Sequence, residues 1–121
     1  MGLTLEPLIV KGDVNQLQQC FLNIIFNAIE AMPRGGELSL LSEWDTSSHR
    51  ALVTVRDTGS GISEKNLDYI FDPFFTTKQE GEGTGLGLSI VHGIVKAHKG
   101  TVEVESKEGE GTAFILSFPG P

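Results

Sequence analysis

Between Val14 and Met32 the apolar residues recur at helical spacing. Leu17, Phe21, Ile24 and Ala28 form one row, and Leu22, Ile25 and Ile29 form its neighbour. A period of three to four sustained over about five turns predicts a long helix across 14–32. Asp13, three residues before Gln16, is a capping-box start, and Met32-Pro33 marks the end. The pattern then changes to short, strand-like runs. Residues 37–44 and 51–57 read as strands joined by a polar loop, and Gly35-Gly36 reads as the turn before them. Residues 101–106 alternate apolar and polar, Glu108 to Gly111 form a hairpin turn, and 112–118 form the last strand. An earlier strand is expected over 5–10, at a sheet edge because of Pro7. Residues 63–70 predict a short helix with Ser63 as its N-cap and Pro73 as its breaker. Residues 76–87 hold four glycines and no hydrophobic period, which predicts a mobile loop. Leu88 to His98 predict a helix with Val91, Ile94 and Val95 on one face and Gly100 past its end. The two hairpins, 37–57 and 101–118, make the sheet largely antiparallel. The expected fold is α+β: a two-layer sandwich with a mixed, largely antiparallel sheet of about five strands and three helices on one face.

Composition narrows this picture. The chain has 121 residues, of which 39% are hydrophobic and 21% charged, as in an ordinary single globular domain spanning 1–121. Nine Lys and Arg against sixteen Asp and Glu leave a net charge of −7. That argues against a nucleic-acid binder and against contact with an anionic membrane, both of which need a basic footprint. A small polyanionic ligand stays open if local N–H groups, a cation or a metal ion receive it. The single cysteine, Cys20, excludes an intramolecular disulfide and a Cys-rich zinc site. No apolar run approaches the ~18 residues of a membrane span, and no signal peptide opens the chain. The expectation is a cytoplasmic domain, or the cytoplasmic part of a larger, membrane-anchored protein, monomeric when isolated.

Four clusters are out of character for plain scaffold. Asn23 and Asn27 lie four apart on the long helix, amid apolar residues, although asparagine is a poor interior helix former. One of them could be a satisfied buried polar group; an amide oxygen can also ligate Mg²⁺, and an amide N–H can meet a phosphate. Asp57 is in phase with Ala51, Val53 and Val55, so its carboxylate faces the core if they do. It could end the strand in an Asx-turn, or it could accept a hydrogen bond from an exocyclic amine such as that of adenine. Gly59 and Gly61 follow it and allow something to approach the backbone closely. The run Gly83-Thr84-Gly85-Leu86-Gly87-Leu88 opens a helix, where freed N–H groups make an anion site. It follows no strand and lacks a Gly-Lys-Ser/Thr ending, so it is neither a dinucleotide fingerprint nor a P-loop. Finally, Phe71-Asp-Pro-Phe74-Phe75-Thr76-Thr77-Lys78 places three phenylalanines before the glycine-rich loop. Core packing explains at least one of them; Lys78 is the only basic residue of the loop and the natural side chain to reach a phosphate.

In this order and spacing the clusters resemble the ATP-binding catalytic domain of two-component sensor histidine kinases, within the gyrase, chaperone, kinase and mismatch-repair ATPase superfamily. Asn23-Ile-Ile-Phe-Asn27-Ala is similar to the family's asparagine box, and Asp57-Thr-Gly-Ser-Gly61-Ile62 to its first glycine box. Phe71 to Lys78 resembles the phenylalanine box, and Gly83 to Ile90 the second glycine box. Gly109-Glu-Gly111-Thr112 also fits. The resemblance covers essentially the whole chain, and NAIEAMP and FDPFFTTK look closest to the nitrogen-regulator subgroup.

The resemblance implies a Bergerat-type sandwich that binds ATP and Mg²⁺ under a lid of about residues 73–84. It implies Asp57 on the adenine amine, Asn27 on Mg²⁺, Asn23 and Lys78 in catalysis, and Thr112 near the adenine, directly or through a water. Further nucleotide contacts are expected at Glu30, Gly59, Gly61, Ile62, Phe71, Thr77, Thr84, Gly85, Leu86, Gly87 and Leu88. Glu30 departs from the family pattern, which often has Lys or Arg there, and this shifts the phosphate contact onto Lys78. Hydrolysing members of the superfamily carry a glutamate base where Asn23 stands, and asparagine takes no proton at neutral pH. The expected activity is therefore transfer of the γ-phosphoryl group to a histidine on a separate dimerisation and phosphoacceptor domain, and from there to a response regulator. His49, His92 and His98 lack an acceptor-like context. A clamp-type ATPase and a silent nucleotide sensor are the competing readings.

Overall fold

The protein is described here by a computed structural model covering residues 12–72 and 87–120. Helix α1 spans Val14–Glu30, and the Asp13 Oδ1 accepts the Gln16 N–H at 3.1 Å, as the capping pattern predicts. Strand β1 spans Leu38–Asp45 and β2 spans Arg50–Asp57. Helix α2 spans Gly87–Ala97, β3 Thr101–Lys107 and β4 Gly111–Pro119. Among the described residues the four strands lie in the order β1-β2-β4-β3, and each of their pairings is antiparallel. This is the expected α+β sandwich. The strand expected over 5–10 lies outside the described residues. The expected third helix is reduced to a 3₁₀ turn at Glu64–Asn66. Ser63 makes no side-chain capping bond there, and its Oγ is buried without a hydrogen-bond partner among the described residues. Without that cap the first turn does not propagate.

Register decides which side of the sheet meets the helices. Ala51, Val53, Val55 and Asp57 of β2 lie opposite Phe118, Leu116, Phe114 and Thr112 of β4. Val102, Val104 and Ser106 of β3 continue these rows. On this face Val55, Phe114, Leu116 and Phe118 are buried against Cys20 and Ile24 of α1 and Val91, Ile94 and Val95 of α2. The opposite face carries Arg56, Glu103 and Glu105, with Leu41 partly exposed. Burial in the apolar core pushes the Cys20 thiol up to about 11, so it behaves as a small hydrophobe. On α1 the buried strip is Cys20, Ile24 and Ala28. Leu22 and Ile29, which belong to the second apolar row, point outward with Phe26 and are about half exposed. One helix face suffices to cover the sheet, so the second row is left over.

The two helices are joined at their far ends by His98. Its Nε2 accepts the Asp13 N–H at 3.0 Å, and its Nδ1 lies 2.8 Å from the Ile94 carbonyl oxygen and donates to it. Gly12 passes so close to this ring that any Cβ there would collide with it. Phe71 packs between Phe114 and His92, with ring centroids 6.4 and 5.5 Å apart. His49 sits at the opposite end of the sheet, edge-on to Trp44. Both helical histidines are thus packing residues.

The burial asymmetry predicts the outcome of two substitutions. Phe114→Ala should destabilise the domain by about 3–5 kcal/mol through the cavity it leaves. Leu41→Ala, on the outer face, should stay within about 0.5 kcal/mol of the wild type. Urea denaturation of both variants checks the assignment of the two faces.

Candidate functional site

Asp57 ends the inward phase of β2 and is only 3% exposed. Its Oδ1 accepts the Gly59 N–H at 2.8 Å. Burial pushes its pKa above the ordinary value of 3.8, while the backbone N–H groups of Gly59 and Thr112 act in the opposite direction. Thr112, 5% exposed, is its direct partner across the β2–β4 ladder. The Thr112 hydroxyl lies 2.8 Å from the Ser106 hydroxyl, at the inward end of β3. A pocket of about 340 Å³ at this end of the sheet is bordered by Asp57, Ser106 and Thr112 together with Arg56, Glu105 and Ala113, whose side chains lie on the outer face. Three neighbouring strands thus end their inward phases in oxygen-bearing side chains. A buried carboxylate held by backbone amides still has lone pairs for a further donor, such as an exocyclic amine.

The glycine run after Asp57 is shaped by the protein's own backbone. A Cβ on Gly59 would collide with the Ala31 carbonyl, just past the end of α1. Gly61 has φ +74°, and a Cβ there would collide with the Lys107 carbonyl at the end of β3. Ser60 N–H donates to the Ala31 oxygen at 3.1 Å, and the Gly109 N–H donates to the Ser60 oxygen at 2.7 Å. The segment 58–62 is therefore sewn between the C-terminus of α1 and the β3–β4 turn. Ile62 is drawn in by its N–H, which donates to Ser106 Oγ at 2.7 Å. Gly111 serves the same closure, because a Cβ there would collide with the Asp57 carbonyl.

Asn23 and Asn27 are partly buried on α1, between the core strip and the exposed Glu30. They lie one turn apart, and Asn27 is in the last turn, whose end Ser60 and Gly59 hold against the Asp57 loop. The fold thereby brings the asparagine pair and the carboxylate to one end of the domain. Gly87 opens α2, and a Cβ on it would meet no described atom within 4 Å. Leu88 packs partly buried against the core, and Phe71 does the same from the other side. Thr77, Lys78, Thr84, Gly85 and Leu86, with the lid expected over 73–84, lie outside the described residues. Among the described residues no group of three or more His, Cys, Asp or Glu could hold a metal ion. No described helix is long and apolar enough to cross a membrane.

Ser106 is the site residue that motif reading passed over. Its signal was present: in Thr101 to Ser106 it occupies the phase of Val102 and Val104, where a polar side chain must find partners.

Comparison with known proteins agrees with this arrangement. The family described as "Histidine kinase-, DNA gyrase B-, and HSP90-like ATPase" matches residues 12–121. Sporulation kinase A of Bacillus subtilis is 46% identical over 114 residues, covering 94% of this chain and 18% of that protein. The chain thus spans about a fifth of the length of such relatives. The catalytic domain of histidine kinase ThkA superposes with a TM-score of 0.84 at 37% identity, covering 98% of this chain and 76% of the other. Full-length ShkA in complex with AMPPNP gives a TM-score of 0.80 at 31% identity, covering 92% of this chain and 23% of ShkA. The paired asparagines on α1, the buried Asp57 and the glycine-closed loop beside it therefore sit in a domain of known kind, and the chain belongs to the histidine kinase-, DNA gyrase B- and HSP90-like ATPase family, as an ATP-binding domain of the sensor histidine kinase type.

Proposed function

We propose that this domain binds Mg-ATP at the Asp57 end of the sheet. The γ-phosphoryl group is then donated to a histidine carried by another segment of the full-length protein, in service of a response regulator. The observation that carries this reading is the buried Asp57 carboxylate, held by the Gly59 N–H and facing α1 beside Thr112. An ionised acceptor in that position suits the adenine amine. Asn27 supplies an amide oxygen to Mg²⁺. A magnesium ion satisfied by one or two protein oxygens, phosphate oxygens and waters needs no all-protein cage, which accords with the residues present at the end of α1. When bound, Mg²⁺ offsets the charge of the triphosphate in a chain of net charge −7.

The remaining roles follow the chemistry of the side chains. Asn23 cannot accept a proton at neutral pH, so water is not activated and the phosphoryl group is preserved for an imidazole nucleophile. Residues 73–84 act as the lid, and Lys78 reaches the γ-phosphate. Thr77, Thr84, Gly85, Leu86, Gly87 and Leu88 line the phosphate side, with Gly87 at the start of α2. Transfer then depends on positioning and charge stabilisation, which phosphoryl transfer chiefly requires. His92 and His98 are engaged in packing, which supports an acceptor histidine outside this chain.

The isolated chain should bind Mg-ATP in calorimetry, hydrolyse it very slowly, and acquire no stable phosphate. Mixed with the histidine-bearing segment of its own full-length protein, it should generate acid-labile phosphate on that segment. Brisk hydrolysis that Asn23→Ala eliminates would place the domain among the water-activating ATPases instead.

Asp57→Asn separates binding from stability. Affinity for ATP should fall about 10- to 100-fold, because a charged hydrogen bond to the base is lost. Stability should respond differently. With its folded pKa raised, Asp57 binds its proton more tightly in the native state than in the unfolded state. Its contribution is therefore fully favourable below the unfolded value of 3.8 and is lost as pH rises through the folded value. The ligand-free Asp57→Asn variant should lack this decline and be no less stable than the wild type at pH 7. Thermal melts across pH 3–7, with and without nucleotide, check both halves.

A further inference from the structure

Three contacts converge on the Ser106 hydroxyl. It lies 2.7 Å from the Ile62 nitrogen, 2.9 Å from the Gly111 carbonyl oxygen and 2.8 Å from Thr112 Oγ1. A hydroxyl has one proton to give, an amide N–H only donates, and a carbonyl oxygen only accepts. One assignment satisfies all three contacts. Ser106 gives its proton to the Gly111 oxygen and receives the Ile62 N–H. The third contact then requires Thr112 to be the donor and Ser106 the acceptor. The single hydroxyl proton of Thr112 is committed to Ser106, and Thr112 Oγ1 keeps only lone pairs for anything else.

We infer that Ser106 is a specificity-determining residue for the nucleotide base, acting by locking the Thr112 hydroxyl as an acceptor. The inference rests on the ATP reading above. Asp57 and Thr112 are direct cross-strand partners, so the locked hydroxyl adds a second acceptor beside the carboxylate. At the 6-position such an edge suits a purine with an amino group and repels one that carries only an oxygen lone pair there and no N1–H. Without Ser106 the Thr112 hydroxyl can rotate and donate, and that 6-oxygen purine loses its penalty. Ser106 does not touch the base in this scheme; it positions the group that does.

The test is a ratio of affinities. Dissociation constants for Mg-ATP and the magnesium complex of 6-methoxypurine riboside triphosphate, whose bases differ only at the 6-position, an amine against an ether oxygen, are measured by calorimetry on this chain. Wild type should prefer ATP. Ser106→Ala should narrow the preference about 3- to 10-fold, as expected for one neutral hydrogen bond changed from repulsive to attractive. Ser106→Thr, which keeps a hydroxyl, should restore it. Thr112→Val should also narrow the preference, and adding Ser106→Ala to it should change the ratio no further. A purely structural Ser106 would weaken both nucleotides alike and leave the ratio unmoved, which overturns the inference and leaves the ATP reading intact. If Ser106→Ala does not fold, the Thr112→Val ratio decides in the same way. A wild-type chain that binds neither triphosphate overturns the ATP reading and this inference together.

Discussion

A carboxylate buried at the end of a strand constrains everything around it. Asp57 occupies an inward position that burial makes unfavourable for charge, and backbone amides from Gly59 and Thr112 only partly offset that cost. To bring those amides within reach, the chain must turn sharply after β2 and β4 must begin directly opposite. Both requirements appear as glycine. Gly111 passes over the Asp57 carbonyl, while Gly59 and Gly61 let the following loop pass between Ala31 and Lys107. The glycines around the site thus exist first for the protein's own close packing. A ligand benefits because that packing presents a rigid, pre-positioned acceptor.

The same closure couples α1 to the sheet. The Ala31 oxygen, just past the helix, accepts the Ser60 N–H, and this ties the turn bearing Asn27 to the loop bearing Gly59. At the other end of α1, His98 receives the Asp13 N–H and donates to Ile94. Between these two fastenings the helix meets α2 and the sheet through Cys20, Ile24 and Ala28, contacts that have little directional preference of their own. Hydrogen bonds at both ends therefore determine where along its axis the helix sits. The proposed role of the asparagines toward a nucleotide needs that precision, since misplacement by about 1 Å can cost a hundredfold in rate.

Much was legible from residue order alone. The two periods, near 3.6 across α1 and 2 across the strands, predicted the helices and hairpins to within a residue or two, because each element must bury one face. The phase of Asp57 with Ala51, Val53 and Val55 predicted its burial, and alternation forces that result in any paired strand. The short helix over 63–70 did not form as such. Ser63 made it plausible, but a cap residue is only a local preference, and here its hydroxyl was turned into the interior instead. Likewise, the second apolar row of α1 is left half exposed at Leu22 and Ile29, since composition cannot say how much of a helix circumference a single sheet will cover.

The chain by itself determined its alternation, its helical stripes and the types of side chain available for chemistry; these are local properties, set by backbone geometry and the cost of leaving apolar surface in water. The antiparallel register decided the rest. It placed Thr112 opposite Asp57 and Ser106 beside Thr112, residues far apart in the sequence whose hydroxyl protons can be assigned only once the three strands lie side by side. It also decided that the glycines after Asp57 would admit Ala31 and Lys107. A glycine in the sequence states that something comes close; only the folded chain decides what, because close approach is a property of two segments and not of one.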